Sequence, residues 1–479
     1  MIAHNHIDGA WVKPSGPTLP VVNPATGETL GQTPLSTGVD VDTAVKAAQR
    51  AFPAWRATPV IERVRILFRL KALMEEHFEE LAETLTREHG KVRAETRGEV
   101  RRGIENIEHA CGMPSSMMGE TLEDIARGID CETIRQPLGV FAGITPYNFP
   151  VMIPCWFWPY AVATGNTFVL KPSEQDPFTH QRVVELAMQA GLPKGVLNVV
   201  HGAREVAEAI LDHPDIKGVS FVGSSDVAKI VYARAAASGK RVQALGGAKN
   251  HMIVLPDADM DRVGQLLVDS LFGSTGQRCL AGSVIVGVAD AYAPIRERML
   301  DGANSLRIGD GMEDNVDMGP VISRKHRDRI KDYVREGERD GAKLILDKSE
   351  VKLDKYPNGH WIGPAIFEGV TPAMAVGKDE IFGPVAAMMK AKSLDDAVTL
   401  MHESGYGNAT SLFTSSGRSA REFRYQAGIS MIGINVSVAA PMAFFPFGGS
   451  RNSFFGDLKA QGKDSVEFFT DRRVIISRW

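Results

Sequence analysis

Cys279 stands in the stretch Phe272-Gly-Ser-Thr-Gly-Gln-Arg-Cys-Leu-Ala-Gly282, a single thiol among small residues. Gly273, Gly276 and Gly282 leave room for a small molecule to approach it, and the neighbouring Arg278 would favour the thiolate, which is the nucleophilic form. The competing reading is that Cys279 is a small buried hydrophobe, as most free cysteines are. A second stretch with chemical content is Phe221-Val-Gly-Ser-Ser-Asp-Val-Ala228. It reads as a strand end passing into a helix, with Gly223 allowing close approach and Ser224 placed for a phosphate at the helix N-terminus. The dinucleotide fingerprint G-x-G-x-x-G is absent from the chain.

The elements that must carry these residues follow from periodicity. Ala44 to Trp55 and Val60 to Arg102 have helical spacing, continued by Arg101 to Ala110, and Val100, Ile104, Ile107 and Cys111 fall on one face. From Leu138 onward short apolar runs alternate with helices. Leu138 to Ile144, Thr167 to Leu170, Gly195 to Val200 and Gly218 to Val222 read as strands, with helices over Pro177 to Ala190 and Ala203 to Asp212. Such alternation predicts an α/β fold whose parallel sheet is covered on both faces and binds its ligand beyond the carboxyl ends of the strands. A second alternating unit starts near His251 and runs through Ser283 to Val286, Lys343 to Leu346 and Val385 to Met388. Two segments fit neither unit: Gly119 to Gln136, and Ser465 to Phe469 followed by Arg473 to Ile476. Both read as strands standing apart from the sheets, able to pair with another chain.

At 479 residues the chain predicts two or three domains. Its formal charge of −4 carries no footprint for nucleic acid. The longest apolar stretch, Phe149 to Ala163, is short and broken by three prolines, so no membrane span is expected. No metal site is expected. The N-terminus reads as neither a secretory signal nor a basic transit peptide. Four cysteines do not make a disulfide framework, and the expected compartment is a reducing cytoplasm.

Six short stretches, in this order, resemble the aldehyde dehydrogenase superfamily nearly from end to end. They are Thr145-Pro-Tyr-Asn-Phe-Pro150, Leu170-Lys-Pro-Ser-Glu174, Phe221-Val-Gly-Ser-Ser225, Leu245-Gly-Gly247, Gly276-Gln-Arg-Cys279 and Glu380-Ile-Phe-Gly-Pro384. The resemblance implies a Rossmann-type NAD-binding domain (residues 1–118 and 138–246), an α/β catalytic domain (247–436), a small β oligomerisation arm (119–137 and 462–479) and a C-terminal substrate loop with its return segment (437–461). It implies a homo-oligomer, dimer or tetramer. It also implies that Cys279 attacks an aldehyde, with the Asn148 amide and the Cys279 N–H donating to the oxyanion. For Asn148 the alternative is a local Asx-type turn.

The cofactor set carried by the resemblance is NAD. Lys171 and Glu174 are placed on the adenosine ribose, where an acidic group repels a 2′-phosphate and so favours NAD over NADP. Glu380 and Phe382 are placed at the nicotinamide. Ile144, Thr145, Pro146 and Tyr147 join the set from the first strand's end. Gly202, Phe221, Gly223, Ser224 and Val227 join from the following loops, with Leu245 and Gly246. For Lys171 and Glu174 the alternative is a mutual surface ion pair.

Hydrolytic members carry a glutamate before Leu-Gly-Gly that activates water; the corresponding residue here is read as Ala244, which cannot take a proton. Leu245-Gly-Gly-Ala-Lys-Asn-His251, with Phe444-Phe-Pro-Phe-Gly-Gly-Ser-Arg451, is typical of the methylmalonate-semialdehyde dehydrogenase branch, which passes the acyl group to coenzyme A. Substrates of that branch carry a carboxylate, for which Arg278 and, by resemblance, Arg102 are the cationic partners. On the helical wheel Arg102 lies opposite the buried stripe, where a solvated arginine is the plain alternative. Asp457 is a candidate substitute base. Three other readings stand beside this one: a hydrolytic aldehyde dehydrogenase, a cysteine hydrolase pairing Cys279 with a histidine, and a binding protein that keeps the fold without the activity.

Overall fold

The computed structural model describes residues 1–13 and 16–479. Four helices dominate the N-terminal region: Gly38–Ala57, Val60–Glu76, Phe78–His89 and Arg93–Cys111. The stripe Val100, Ile104, Ile107 and Cys111 is buried as its spacing predicts. Helical character breaks at Gly90, which closes Phe78–His89 in the left-handed conformation that glycine adopts without strain.

The first sheet has eight strands. At its centre lie Arg241–Leu245, Ile216–Val222, Val140–Ile144, Thr167–Lys171 and Leu197–Val199, all parallel. Chain order runs outward in both directions from the gap between Val140–Ile144 and Ile216–Val222. That gap is the switch point where doubly wound sheets hold a ligand. Phe454–Gly456 adds an antiparallel edge strand beside Arg241–Leu245. This strand lies in the segment expected to hold the substrate loop and its return.

The second sheet has seven strands. Its core is parallel: Ala365–Glu368, Val385–Ala391, Gly282–Val288, Asn250–Val254, Ala409–Phe413 and Met431–Ile434. Thr121–Ala126, Ile129–Pro137 and Thr470–Arg478 form a separate antiparallel sheet. One expectation fails here. Gly462–Phe469 is a helix rather than a strand, because Ser465, Val466, Phe468 and Phe469 recur at helical spacing and bury. Phe468 and Phe469 both pack edge-on against Phe141 in the first sheet.

The sheets meet with opposite polarity. Loops leaving the carboxyl ends of the first sheet (after Ile144, Val222 and Leu245) face segments that enter the amino ends of the second (before Asn250, Gly282, Val385 and Ala409). No helix among the described residues is long and apolar enough to cross a membrane.

Candidate active site

Cys279 lies where two cavities meet. One, of about 280 Å³, is lined by Glu99, Arg102, Met152, Trp156, Arg278 and Phe447 among others, with Cys279 at its floor. The other, of about 360 Å³, reaches the same cysteine from the side of Pro146, Tyr147, Asn148, Gly223, Ser224, Gly246, Glu380 and Phe382. A single thiol is therefore open to two different molecules from two directions.

The loop carrying Cys279 is tightly constrained. Ser274 and Thr275 have φ of 48° and 54°, a left-handed conformation that a β-branched threonine rarely adopts. Thr275 Oγ1 holds it by donating to the Gly319 carbonyl at 2.7 Å, and Ser274 N–H donates to Glu95 at 2.5 Å. Gln277 accepts the Ile322 N–H at 3.1 Å, and its carbonyl accepts the Asn148 amide at 3.0 Å. Asn148 is thus a tertiary contact of the cysteine loop, not a local turn.

The turn that presents Asn148 rests on a buried ion pair that sequence reading missed. Lys91 and Glu99 meet at 2.6 Å with side chains 1% and 0% exposed. Lys91 also donates to the Asn148 carbonyl, while Glu99 accepts the N–H groups of Val151 at 2.9 Å and Met152 at 3.3 Å. A lysine closing one helix and a glutamate in the next read as ordinary surface charges. Only their convergence on one turn marks them.

Electrostatics at the thiol differ from the expectation for Arg278. Burial pushes the Cys279 thiol up to about 12, and the Glu380 carboxylate adds to this. The N–H groups of Cys279 and Leu280 and the Arg278 charge oppose it without prevailing. Arg278 spends its Nη2 on the carbonyls of Asp269 and Ser270, at 2.5 and 3.2 Å, and its buried Nε has no partner. Arg102 is a third exposed, bonded to Glu105 and to the Met442 sulfur, both at 2.9 Å, and lines the cavity above Cys279. The structure thus brings both arginines to that cavity.

Glu380 is half-buried, and desolvation raises its carboxyl to about 7 against the Ala248 N–H, Arg329 and Lys249. It accepts the Ala248 N–H at 2.8 Å, and a Cβ at Gly247 would collide with its carboxylate. Phe382, at φ 60°, packs edge-on against Tyr147.

The residue before Leu-Gly-Gly is Ala244, so no carboxylate stands at this place. Ala244 packs into the core beneath helices Gly38–Ala57 and Ser225–Ala237, together with Phe221. Leu245, next along the strand and so on its other face, belongs to a different core cluster. Neither residue lines either cavity. Asp457 is exposed and lines neither cavity.

A match to the aldehyde dehydrogenase family extends over residues 11–475. The chain belongs to the aldehyde dehydrogenase family. It is 48% identical over 476 residues to the malonate-semialdehyde dehydrogenase of Halalkalibacterium halodurans, covering 99% of this chain and 98% of that protein. It is 50% identical over 479 residues to malonate-semialdehyde dehydrogenase 1 of Geobacillus kaustophilus, covering 100% and 98%. The solved methylmalonate-semialdehyde dehydrogenase of Oceanimonas doudoroffii superposes with a TM-score of 0.98 at 43% identity, over 100% of this chain and 98% of that one. A Sinorhizobium meliloti chain assigned to the same activity and solved with NAD gives the same TM-score and identity, with coverage of 100% and 98%.

The walls of the second cavity suit a dinucleotide. Ser224 precedes the 13-residue helix Ser225–Ala237, whose free N–H groups favour a phosphate. Gly246 lies so close to Ser225 and Asn452 that a side chain there would fill the cradle. Thr145 Oγ1 is buried without a partner at the end of Val140–Ile144. Lys171 and Glu174 pair at 2.8 Å beside the next strand end, with Lys171 buried and Glu174 half-buried. His201, just before Gly202, is buried and kept neutral down to about 3 by that burial. Val227 is exposed on the first turn of Ser225–Ala237. Ile144, Phe221 and Leu245, placed in the cofactor set by resemblance, are core residues outside the second cavity's lining. Phe221 supports Gly223 from beneath.

Proposed function

We propose that this chain oxidises a small carboxylated semialdehyde, malonate or methylmalonate semialdehyde, with NAD, through a thioester on Cys279, and delivers the decarboxylated acyl group to coenzyme A. The observation that carries the reading is the meeting of the two cavities at Cys279, one walled by Arg102 and Arg278 and the other by glycines and a helix N-terminus. The relatives named malonate-semialdehyde dehydrogenase, about half identical over their length, support the substrate class.

In this reading Arg102 and the unpartnered Nε of Arg278 hold the substrate carboxylate, leaving the aldehyde carbon over Sγ. Cys279 gives its proton to solvent and its sulfur adds to that carbon, and the Asn148 amide and Cys279 N–H receive the oxyanion. NAD bound in the second cavity supplies the acceptor for the hydride that departs when the thioester forms. Glu380 and Phe382 hold the nicotinamide end, and Lys171 with Glu174 the adenosine ribose. The carboxylate beta to the thioester carbonyl leaves as carbon dioxide. Its bonding electrons pass into an enolate held by the same two donors, and a proton then completes the acyl group. The thiolate of coenzyme A attacks the carbonyl and releases Cys279, giving acetyl-CoA or propionyl-CoA. Ala244 brings no carboxylate to activate water, which favours a thiol as acceptor.

The cysteine-hydrolase reading lacks its dyad: among the described residues no histidine is hydrogen-bonded to Cys279. His326, which lines the second cavity, pairs its Nε2 with the Phe382 carbonyl at 2.7 Å. A homo-oligomer is supported by the strand Thr470–Arg478, which leaves Val474 and Ile476 exposed, and the cytoplasm by four free cysteines. The deciding experiment is NADH formation from malonate semialdehyde with and without coenzyme A, with the product identified by mass spectrometry. Acetyl-CoA formed only with coenzyme A is the expected result. Equal turnover without it, with free acid accumulating, overturns the acyl-transfer step.

A further inference from the structure

The backbone carbonyl of Cys279 is gripped by two side chains from the second sheet. Asn250 Nδ2 and Asn408 Nδ2 each donate to it at 2.8 Å, and Asn250 donates again, at 2.8 Å, to the Ala281 carbonyl. Asn250 opens the strand Asn250–Val254, and Asn408 immediately precedes its parallel neighbour Ala409–Phe413. Asn250 Oδ1 accepts the Ala409 N–H at 3.0 Å, so the two amides are fixed relative to each other. Both asparagines are buried. One carbonyl oxygen has two lone-pair directions, and here both are taken by donors mounted on rigid strands.

That carbonyl belongs to the same planar peptide unit as the Leu280 N–H, which with the N–H of Cys279 acts to lower the ionisation threshold of the thiol. Hydrogen bonds accepted at the oxygen end of an amide polarise the whole unit and strengthen its N–H as a donor. The Arg278 guanidinium is turned toward the carbonyls of Asp269 and Ser270, so oriented backbone dipoles are the other local means of stabilising a negative sulfur.

We propose that Asn250 and Asn408 are positioning residues that lock and polarise the Cys279–Leu280 peptide, aiming the Leu280 N–H at Sγ and favouring the thiolate. The proposal rests on the reading of Cys279 as the nucleophile. It gives two buried asparagines, which no step of the proposed reaction touches, a role in setting the reactivity of the thiol.

The test is the pH profile of Cys279 alkylation by iodoacetamide in the full-length protein, followed by mass spectrometry of the peptide containing Cys279. Asn408→Leu keeps the side-chain size and removes the donor; Asn408→Asp is close to isosteric and places an acceptor against the carbonyl. Asn408→Leu is expected to slow alkylation at pH 8 about tenfold and move the profile up by about one pH unit, a tenfold change per unit. Asn408→Asp is expected to slow it further, with the KM for NAD within about twofold in both. Profiles that superimpose on the unmodified protein in the folded variants overturn the proposal, even if turnover falls, because lost packing alone would not move the thiol's ionisation. If Asn408→Leu does not fold, Asn408→Asp and Asn250→Ser decide by the same criterion. A Cys279→Ala protein that still forms NADH would remove the nucleophile reading, whereas the shift in the alkylation profile is measured independently of turnover.

Discussion

Leu245 and Cys279 share one apolar core, while Ala244, one residue earlier in the same strand, is buried on the opposite face of the first sheet. Neither residue brings a carboxylate to the strand end before Gly246-Gly247. Ala244→Glu restores a carboxylate before Leu-Gly-Gly and is expected to create acid release without coenzyme A at a rate clearly above the unmodified protein, at some cost in stability because Ala244 is buried. Leu245→Glu is expected to lose stability without gaining acid release. Product analysis without coenzyme A, with urea denaturation, checks both; acid release from Leu245→Glu but not from Ala244→Glu would reverse the assignment.

Arg102 stands at the cavity wall with part of its guanidinium exposed, so its loss should affect binding more than folding. A charge-assisted hydrogen bond contributes roughly 1.5–3 kcal/mol, so Arg102→Leu should raise the KM for malonate semialdehyde about 10- to 100-fold. Propanal, which has no carboxylate, should change by less than about threefold. Equal effects on the two substrates would remove the carboxylate assignment.

Lys91→Met leaves Glu99 buried and uncompensated beneath the Asn148 turn. Breaking such a pair costs about 3–5 kcal/mol, and the double variant Lys91→Met/Glu99→Gln should regain part of it. Turnover should fall in both, since the turn loses its anchor. Chemical denaturation of the three proteins reads the coupling; a single variant no less stable than the double would show that there is none.

Glu380 has a carboxyl raised to about 7, so it gains its charge between about pH 6 and 8, and that charge opposes ionisation of the Cys279 thiol. Removing it works in the opposite sense. Glu380→Gln is expected to speed alkylation of Cys279 at pH 8 while slowing NADH formation. The alkylation rate, unlike NADH formation, should converge with that of the unmodified protein below about pH 6. Slower alkylation at pH 8 would mean that Glu380 assists the thiol.

Much of this architecture is written locally. Alternating strands and helices gave the first sheet because a parallel strand buried on both faces reads as an apolar run, and the stripe on Arg93–Cys111 buries as its spacing demands. Cys279, Asn148, Glu380 and the Gly223-Ser224 loop were visible because each sits in a short stretch with unusual neighbours. What escaped was set by tertiary convergence. Val466-Glu-Phe-Phe469 is too short for its period to separate helix from strand, and its packing against Phe141 decides. Lys91 and Glu99 look like surface charges, and Asn250 and Asn408 like turn residues, until the fold folds them onto Asn148 and Cys279.

The junction of two cavities at one sulfur also bears on inhibition. A reagent shaped for the arginine-walled side can cap the sulfur while the opposite chamber stays open, and one shaped for the glycine-walled side does the reverse. Two blockers with no shared shape would then compete for one atom. Selectivity among related enzymes can be sought in whichever chamber differs more, with the sulfur as a common anchor.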